Sequence, residues 1–286
     1  MTDAAPTNAE PYTGQVGHLS PEQQAVYDQV VAELKADGVF SEERHDAYFI
    51  CRFLRARKFD PAKSKQMIAD YEKWRKEFGV EEIVRTFQYE DADRQVQEIY
   101  PRFYHGVDKE GRPIYIEVLG KLDVKKMMGI TTTERILQGF VYEFEKTFSQ
   151  RFPGCSQVAG RHIETSFTIL DLKGVGLFQL PSVQSILRDI THISKTYYPE
   201  CVGKIFIINA PFIFSASWRL ITPLIDEVTV KKISIMGGSF QTELLKHVDA
   251  AQLPVEYGGT CSCANGCGSV EKGPWLALPE PSSNQQ

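Results

Sequence analysis

Two hydroxyls on one strand face and a few cations at element ends are the side chains best placed to hold a charged ligand. In the run ETSFTILDL, strand alternation puts Ser166, Thr168 and Leu170 on one face and Phe167 and Ile169 on the other. A buried hydroxyl without a partner costs about 1 to 3 kcal/mol. The pair therefore needs either a neighbouring backbone group or water, or a phosphate oxygen of a ligand. The cations are Arg57 and Lys58, and Lys231 and Lys232. Such pairs are commonly just solvated, but Lys232 shares a strand face with Ser234 and Met236, which would lay its aliphatic stem over a cavity. Signatures of turnover are missing. The chain has no GxxxxGK[ST] loop, no GxGxxG after a strand, no HExxH and no GxSxG. His105, His162, His192 and His247 lack a partner at motif spacing. Cys261, Cys263 and Cys267 in TCSCANGCGS look like metal ligands, yet a closed site wants four and the tail offers no fourth nearby. The expectation is no metal, with free thiols in a loop.

A chain of 286 residues, 42% hydrophobic and 24% charged, can bury a sizeable core. Its net charge of −5 argues against a generally cation-rich nucleic-acid binder. No run approaches the roughly 18 apolar residues of a membrane span, and the first residues lack a signal-peptide pattern. Six cysteines are too few for a secreted disulfide framework. These features predict a cytosolic protein with reduced thiols.

Residues 1–19 show no periodicity and read as a mobile leader. A helical module follows over 20–98. Ser20-Pro21 and Asp60-Pro61 each supply a cap and a first-turn proline, and a further helix is expected from about Ser41. Strand patterns begin near Tyr100, in PRFYHGVDKEGRPIYIEVLG, and then alternate with helices expected over Thr132 to Gln150 and Pro181 to Thr196. That alternation defines an α/β domain over 99–259 with a mainly parallel sheet. Residues 260–286 form a polar tail.

One helix breaks the pattern. Between strands at Phe206 to Asn209 and Lys232 to Met236, the helix expected from about Ser215 to Ile225 and its entry carry Phe212, Phe214, Trp218, Leu220, Ile221, Leu224 and Ile225 in nearly every direction. Apolar residues all round imply two apolar surroundings. Either the helix is wholly inside a large core, or it is a lid with protein or ligand on one side and membrane on the other.

The segments FLRARKFDPAKSKQMIADYEKWRKEFG, YPRFYHGVDKEGRPIYIEVLG, ETSFTILDLKGVG, YYPECVGKIFIINAPFIFS and LPVEYGGTC, in this order, resemble the CRAL-TRIO lipid-transfer family, and within it the fungal phosphatidylinositol/phosphatidylcholine transfer branch. The resemblance implies a sheet flooring an apolar pocket for one phospholipid, closed by the apolar helix as a gate. It implies phosphatidylcholine headgroup contacts from Ser166 and Thr168 to phosphate and from Tyr104 and Tyr115 to choline. Phe144 stands where the family has a further tyrosine. For phosphatidylinositol it implies Arg57, Lys58, Glu200, Thr229 and Lys232. The expected protein is a monomeric non-enzyme without cofactor. It would meet membranes transiently, at Golgi or endosomes, and present phosphatidylinositol to a lipid kinase. A same-fold carrier of a sterol, tocopherol or retinoid is the alternative, and a lipid hydrolase a more distant one.

Overall fold

A computed structural model describes residues 13–175, 180–211, 214, 218 and 230–278. The chain forms two compact units, one of residues 1–81 with 192–200 and the other of residues 82–191 with 201–286.

In the first unit, α1 (Pro21–Ala36) starts where Ser20 and Gln23 cap each other reciprocally, and α3 (Pro61–Phe78) starts where the Asp60 side chain accepts from the Lys63 N–H and ends at left-handed Gly79. Between them α2 (Ala47–Ala56) begins later than its sequence pattern predicts. The His45 Nδ1 accepts the Ser41 N–H at 3.1 Å, which holds residues 41–45 in a turn, and Asp46 caps the helix by accepting from Phe49. Val30, Leu34, Phe49, Ile50, Phe53, Leu54, Met67, Ile68 and Tyr71 make the core, and Trp74 stacks on Tyr197 at 4.0 Å. The leader is anchored at its end, where Arg55 donates to the Gly14 carbonyl; residues 1–12 lie outside the described ones.

His45 and Arg44 both bond Glu72, at 2.8 and 2.6 Å. Burial would raise this carboxyl, but the two partners prevail and hold it down at about 2, against an ordinary 4.5. A depressed carboxylate stabilises the fold above its unfolded pKa and loses that contribution as pH falls through the folded one. Urea unfolding between pH 5 and pH 2 should therefore show a loss of about 2 kcal/mol that the Glu72→Gln variant lacks. Parallel pH profiles for the two proteins would exclude this role for Glu72.

The second unit is built on a five-stranded sheet of β1 (Arg102–Val107), β2 (Pro113–Val118), β3 (Ser166–Asp171), β4 (Val202–Ile208) and β5 (Ile233–Ile235), in that spatial order. Only β1 and β2 are antiparallel, because the Asp108 to Arg112 turn joins them directly, while longer connections make the other pairs parallel. Ile114, Ile116, Phe167, Ile169, Phe206 and Ile208 fill one face, under α10 (Gln241–His247) and residues 248–257. The opposite face carries the hydroxyls.

Helices α4 (Val80–Thr86), α5 (Asp91–Ile99), α6 (Val124–Met128) and α9 (Leu180–Tyr197) complete the described long elements with α7 (Thr133–Lys146) and α8 (Phe152–Ala159). The sequence predicts one helix over 132–150, but helical backbone continues to Ala159. Pro153 has no N–H for the turn before it, and there the helix widens into a π turn, Thr147–Arg151, with the Phe152 N–H reaching back to Thr147. That widened turn carries Arg151 into the protein, where it is 2% exposed.

Candidate functional site

Register places one row of side chains straight across the second face: Tyr104 opposite Tyr115, Tyr115 opposite Thr168, Thr168 opposite Ile205, and Ile205 opposite Ile233. The next row runs Arg102, Glu117, Leu170, Ile207 and Ile235. Each row changes from aromatic or polar at β1 and β2 to aliphatic at β4 and β5. Ser166 and Thr168 sit at the change, both buried, with their hydroxyl oxygens 3.5 Å apart. Ser166 donates to the Cys201 carbonyl at 3.3 Å. Among the described residues Thr168 Oγ1 meets no hydrogen-bonding side chain other than Ser166. With the Ser166 proton on the Cys201 carbonyl, the Thr168 hydroxyl makes only the long 3.5 Å contact to Ser166, which a closer acceptor lying on the sheet could replace. On the aliphatic side Leu170, Ile205, Ile233 and Ile235 stay only half-buried, beside buried Leu172, Ile207 and Ala210 and half-buried Phe214.

The polar end is a buried network that sequence reading did not find. Arg151 donates to Glu271 Oε1 at 2.8 Å, to Glu143 Oε2 at 2.7 Å and to Thr147 Oγ1 at 3.0 Å, and its guanidinium lies 3.9 Å over the Tyr104 ring. Thr147 Oγ1 is also hydrogen-bonded to the Tyr104 hydroxyl at 3.0 Å. Burial opposes ionisation of Glu271, yet Arg151 and Lys146 hold its carboxyl below the usual range. Burial likewise pushes the Tyr104 phenol up to about 12, with Arg151 acting against it. Tyr104 and Tyr115 stand 5.1 Å apart. The Tyr104 face toward Arg151 already carries a cation, so a bound ammonium would have to meet the other face or Tyr115. Phe144, half-buried on α7, lies three residues before Thr147 and so on the same side of the helix. Beneath this corner, Tyr100 and Tyr115 both donate to buried Glu117, the latter at 3.2 Å. Burial raises the Glu117 carboxyl despite these hydroxyls and Arg102. No local motif marks the joining of Arg151 to Glu271, because the two are 120 residues apart, nor that of Glu117 to Tyr100, 17 residues before it.

Lys232 differs from its sequence reading. It stands in the turn before β5, and Ser234, opposite Phe206, belongs with Met236 to the other face of the sheet. The face of Ser166 and Thr168 continues in Ile233 and Ile235. Strand alternation identifies which residues share a face but not which face meets a ligand. Arg57, Lys58 and Glu200 belong to the first unit, and Lys58 and Glu200 both hold left-handed backbone, at φ 52 and 58. Such backbone costs on the order of 1 kcal/mol or more in a non-glycine residue and concentrates at functional positions. Thr229, Phe212, Leu220, Ile221, Leu224 and Ile225 lie outside the described residues. Phe214 and Trp218 are described, and they stack with ring centres 6.4 Å apart, at the one-turn spacing of a helix.

The tail thiols have a neighbour from far away in the sequence. Cys261, Cys263 and Cys267 gather around His105 of β1.

A mainly parallel sheet whose one face grades from hydroxyl and aromatic to aliphatic, in a chain that also carries a helical N-terminal unit, defines the class of fold. The chain belongs to the CRAL/TRIO family: the CRAL/TRIO domain matches residues 97–259 and the CRAL/TRIO N-terminal domain residues 24–70. Among its relatives, the Sec14 cytosolic factor of Schizosaccharomyces pombe is 47% identical, over 94% of this chain and 93% of its own. The SEC14 cytosolic factor of Candida glabrata is 44% identical over 92% of this chain and 87% of its own. An Arabidopsis thaliana protein named phosphatidylinositol/phosphatidylcholine transfer protein SFH7 is 44% identical over 85% of this chain and 45% of its own. The crystal structure of Sfh5 has the same fold, with a TM-score of 0.64 at 18% identity, over 87% of this chain and 91% of that one.

Proposed function

We propose that this protein binds one phospholipid at a time, phosphatidylinositol or phosphatidylcholine, and exchanges one for the other between membranes without covalent chemistry. The observation that carries the reading is the graded face, on which buried hydroxyls and aromatic rings give way within one row to half-buried aliphatic side chains. A phospholipid has that same gradient, from a phosphate and its headgroup to acyl chains. The name of the Arabidopsis thaliana relative, a phosphatidylinositol/phosphatidylcholine transfer protein, supports this cargo. In this reading Ser166 and Thr168 donate to the phosphate of phosphatidylcholine, and Tyr104, Tyr115 and Phe144 offer ring faces to choline. Arg57, Lys58, Glu200, Thr229 and Lys232 serve phosphatidylinositol. An uncharged cargo such as a sterol would have no use for so many polar anchors.

At about 0.8 kcal/mol per buried CH2, one long acyl chain is worth more than roughly 10 kcal/mol, so exchange takes place on a membrane and not through water. The protein is then cytosolic and monomeric, visits membranes transiently, and supplies phosphatidylinositol to a lipid kinase. Among the described residues no helix is long and apolar enough to cross a membrane, and the apolar gate would make the membrane contact. Trp218→Asp should slow exchange between vesicles by about tenfold, the effect of about 1.4 kcal/mol on the exchange barrier. An unchanged rate would return this helix to plain core. The reading as a whole is tested by mass spectrometry of the lipid that copurifies, followed by vesicle transfer assays. Neither phospholipid in the protein, and transfer of neither, would overturn it; released fatty acid or headgroup would mark a hydrolase instead.

A further inference from the structure

We propose that His105, Cys261, Cys263 and Cys267 form a structural zinc site that staples the C-terminal tail to the edge strand of the sheet. The ligand atoms of all four residues lie within 4.8 Å of one another. Cys261 Sγ is 3.8 Å from Cys263 Sγ and 3.3 Å from His105 Nε2. A tetrahedral zinc ion with bonds of about 2.3 Å to sulfur and about 2.0 to 2.1 Å to nitrogen has edges of about 3.8 Å between sulfurs and about 3.6 Å between sulfur and nitrogen. The cluster is thus already near the size of the ion's coordination shell, whereas a disulfide would need its sulfurs at about 2.0 Å.

The backbone is arranged to deliver these four side chains. His105 is wholly buried on β1 and bridges to Lys272 of the tail, and Gly106, with φ +74, donates its N–H to the Lys272 carbonyl. No side chain would fit at Gly106, since a Cβ there would lie 2.4 Å from the Gln252 carbonyl oxygen. Cys261 is fixed on both sides, by donating to the Leu253 carbonyl and accepting from the Val255 N–H. A turn through left-handed Gly266, closed by the Gly266 N–H on the Cys263 carbonyl, swings Cys267 back to within 3.5 Å of the Cys261 carbonyl. The charge also balances. Three thiolates around Zn2+ leave one net negative charge, and the Lys272 ammonium lies 3.2 Å from Cys261 Sγ. This outer partner is of the kind that tunes metal sites. The chain's other cysteines, Cys51, Cys155 and Cys201, are buried apart from the cluster, and burial pushes the Cys155 thiol up to about 12, the inert state of a packed thiol. The sequence concealed the fourth ligand because it stands 156 residues before Cys261.

The staple has a consequence for the headgroup corner. The segment it fixes carries Glu271 and Trp275, and Trp275 Nε1 donates to the same Glu271 oxygen that Arg151 holds, at 2.9 Å. Zinc would therefore keep the carboxylate that positions Arg151 over Tyr104.

The test uses the full chain, purified under reducing conditions without a polyhistidine tag. Elemental analysis should find one zinc per chain, and cobalt(II) added to the zinc-stripped protein should give the intense visible bands and thiolate charge transfer of a tetrahedral sulfur-rich site. His105→Ala and Cys263→Ser should each lower zinc affinity by well over tenfold, and Lys272→Ala by about tenfold with the stoichiometry kept. Stripping the zinc should lower the unfolding temperature of the wild-type protein and restore it on zinc addition, a readout that does not depend on any variant folding. Absence of stoichiometric zinc, no tetrahedral cobalt spectrum, or full reactivity of all three tail thiols toward a disulfide reagent in the presence of zinc would each overturn the proposal.

Discussion

Replacing Ser166 and Thr168 together by Ala should cut phosphatidylcholine transfer between vesicles by on the order of 10- to 100-fold while phosphatidylinositol transfer stays within about twofold. The magnitude follows from two hydrogen bonds to a charged phosphate, each worth about 1.5 to 3 kcal/mol, partly offset by water that fills the space of the lost hydroxyls. Ser166 is already bonded to the Cys201 carbonyl at 3.3 Å, so Thr168 should account for the larger share when the two are changed singly. The fold should tolerate the change, because among the described residues the hydroxyls' other contacts are with each other, at 3.5 Å. Lys232→Ala should do the reverse and lower phosphatidylinositol transfer selectively. Equal losses of both activities in both variants would dissolve the assignment of separate headgroup contacts.

The second large effect concerns stability. Arg151→Met keeps the length and the contact with the Tyr104 ring but removes the donors to Glu143, Glu271 and Thr147. Breaking a buried pair from one side costs about 3 to 5 kcal/mol where the remaining charge is left without compensation. Glu271 would retain Lys146, at 2.7 Å, and Glu143 the Tyr89 hydroxyl. Urea unfolding should therefore show a loss near the lower end of that range. Adding Glu271→Gln to Arg151→Met should recover part of it, since the second change removes the charge that the first stranded. A loss below about 1 kcal/mol, or no recovery in the double variant, would show that the pair does not hold this corner. The double variant also separates stability from recognition: if Arg151 fixes Tyr104 for choline, phosphatidylcholine transfer should stay low even where stability returns.

Much of this was legible in one dimension. The caps at Ser20 and Asp60 and the prolines after them start their helices where the sequence places them. Alternation along 165–171 correctly predicts that Ser166 and Thr168 share a face, and the order of strands and helices predicts a mainly parallel sheet. These features depend on φ/ψ preferences and on side-chain period, which act between residues a few positions apart. Helix α2 starts later than its sequence pattern predicts because His45 takes the Ser41 N–H while its other nitrogen answers to Glu72, 27 residues on. The helix expected to stop near Gln150 runs on through a π turn, because Pro153 could be accommodated by widening the turn before it.

What the sequence by itself determined, then, is the family, the two kinds of element and the identity of the hydroxyl pair. Only the tertiary structure decided what stands beside that pair. It turned the Ile233 and Ile235 face toward Ser166 and Thr168 in place of the Ser234 face, brought Glu271 to Arg151, and supplied His105 to three cysteines that lacked a fourth partner. The reason is physical. Local signals come from steric and hydrogen-bonding preferences that any short peptide shares, whereas ion pairs and ligand sets form between residues brought together only after the chain has folded, and no spacing along the chain encodes a distance of 3 Å across it.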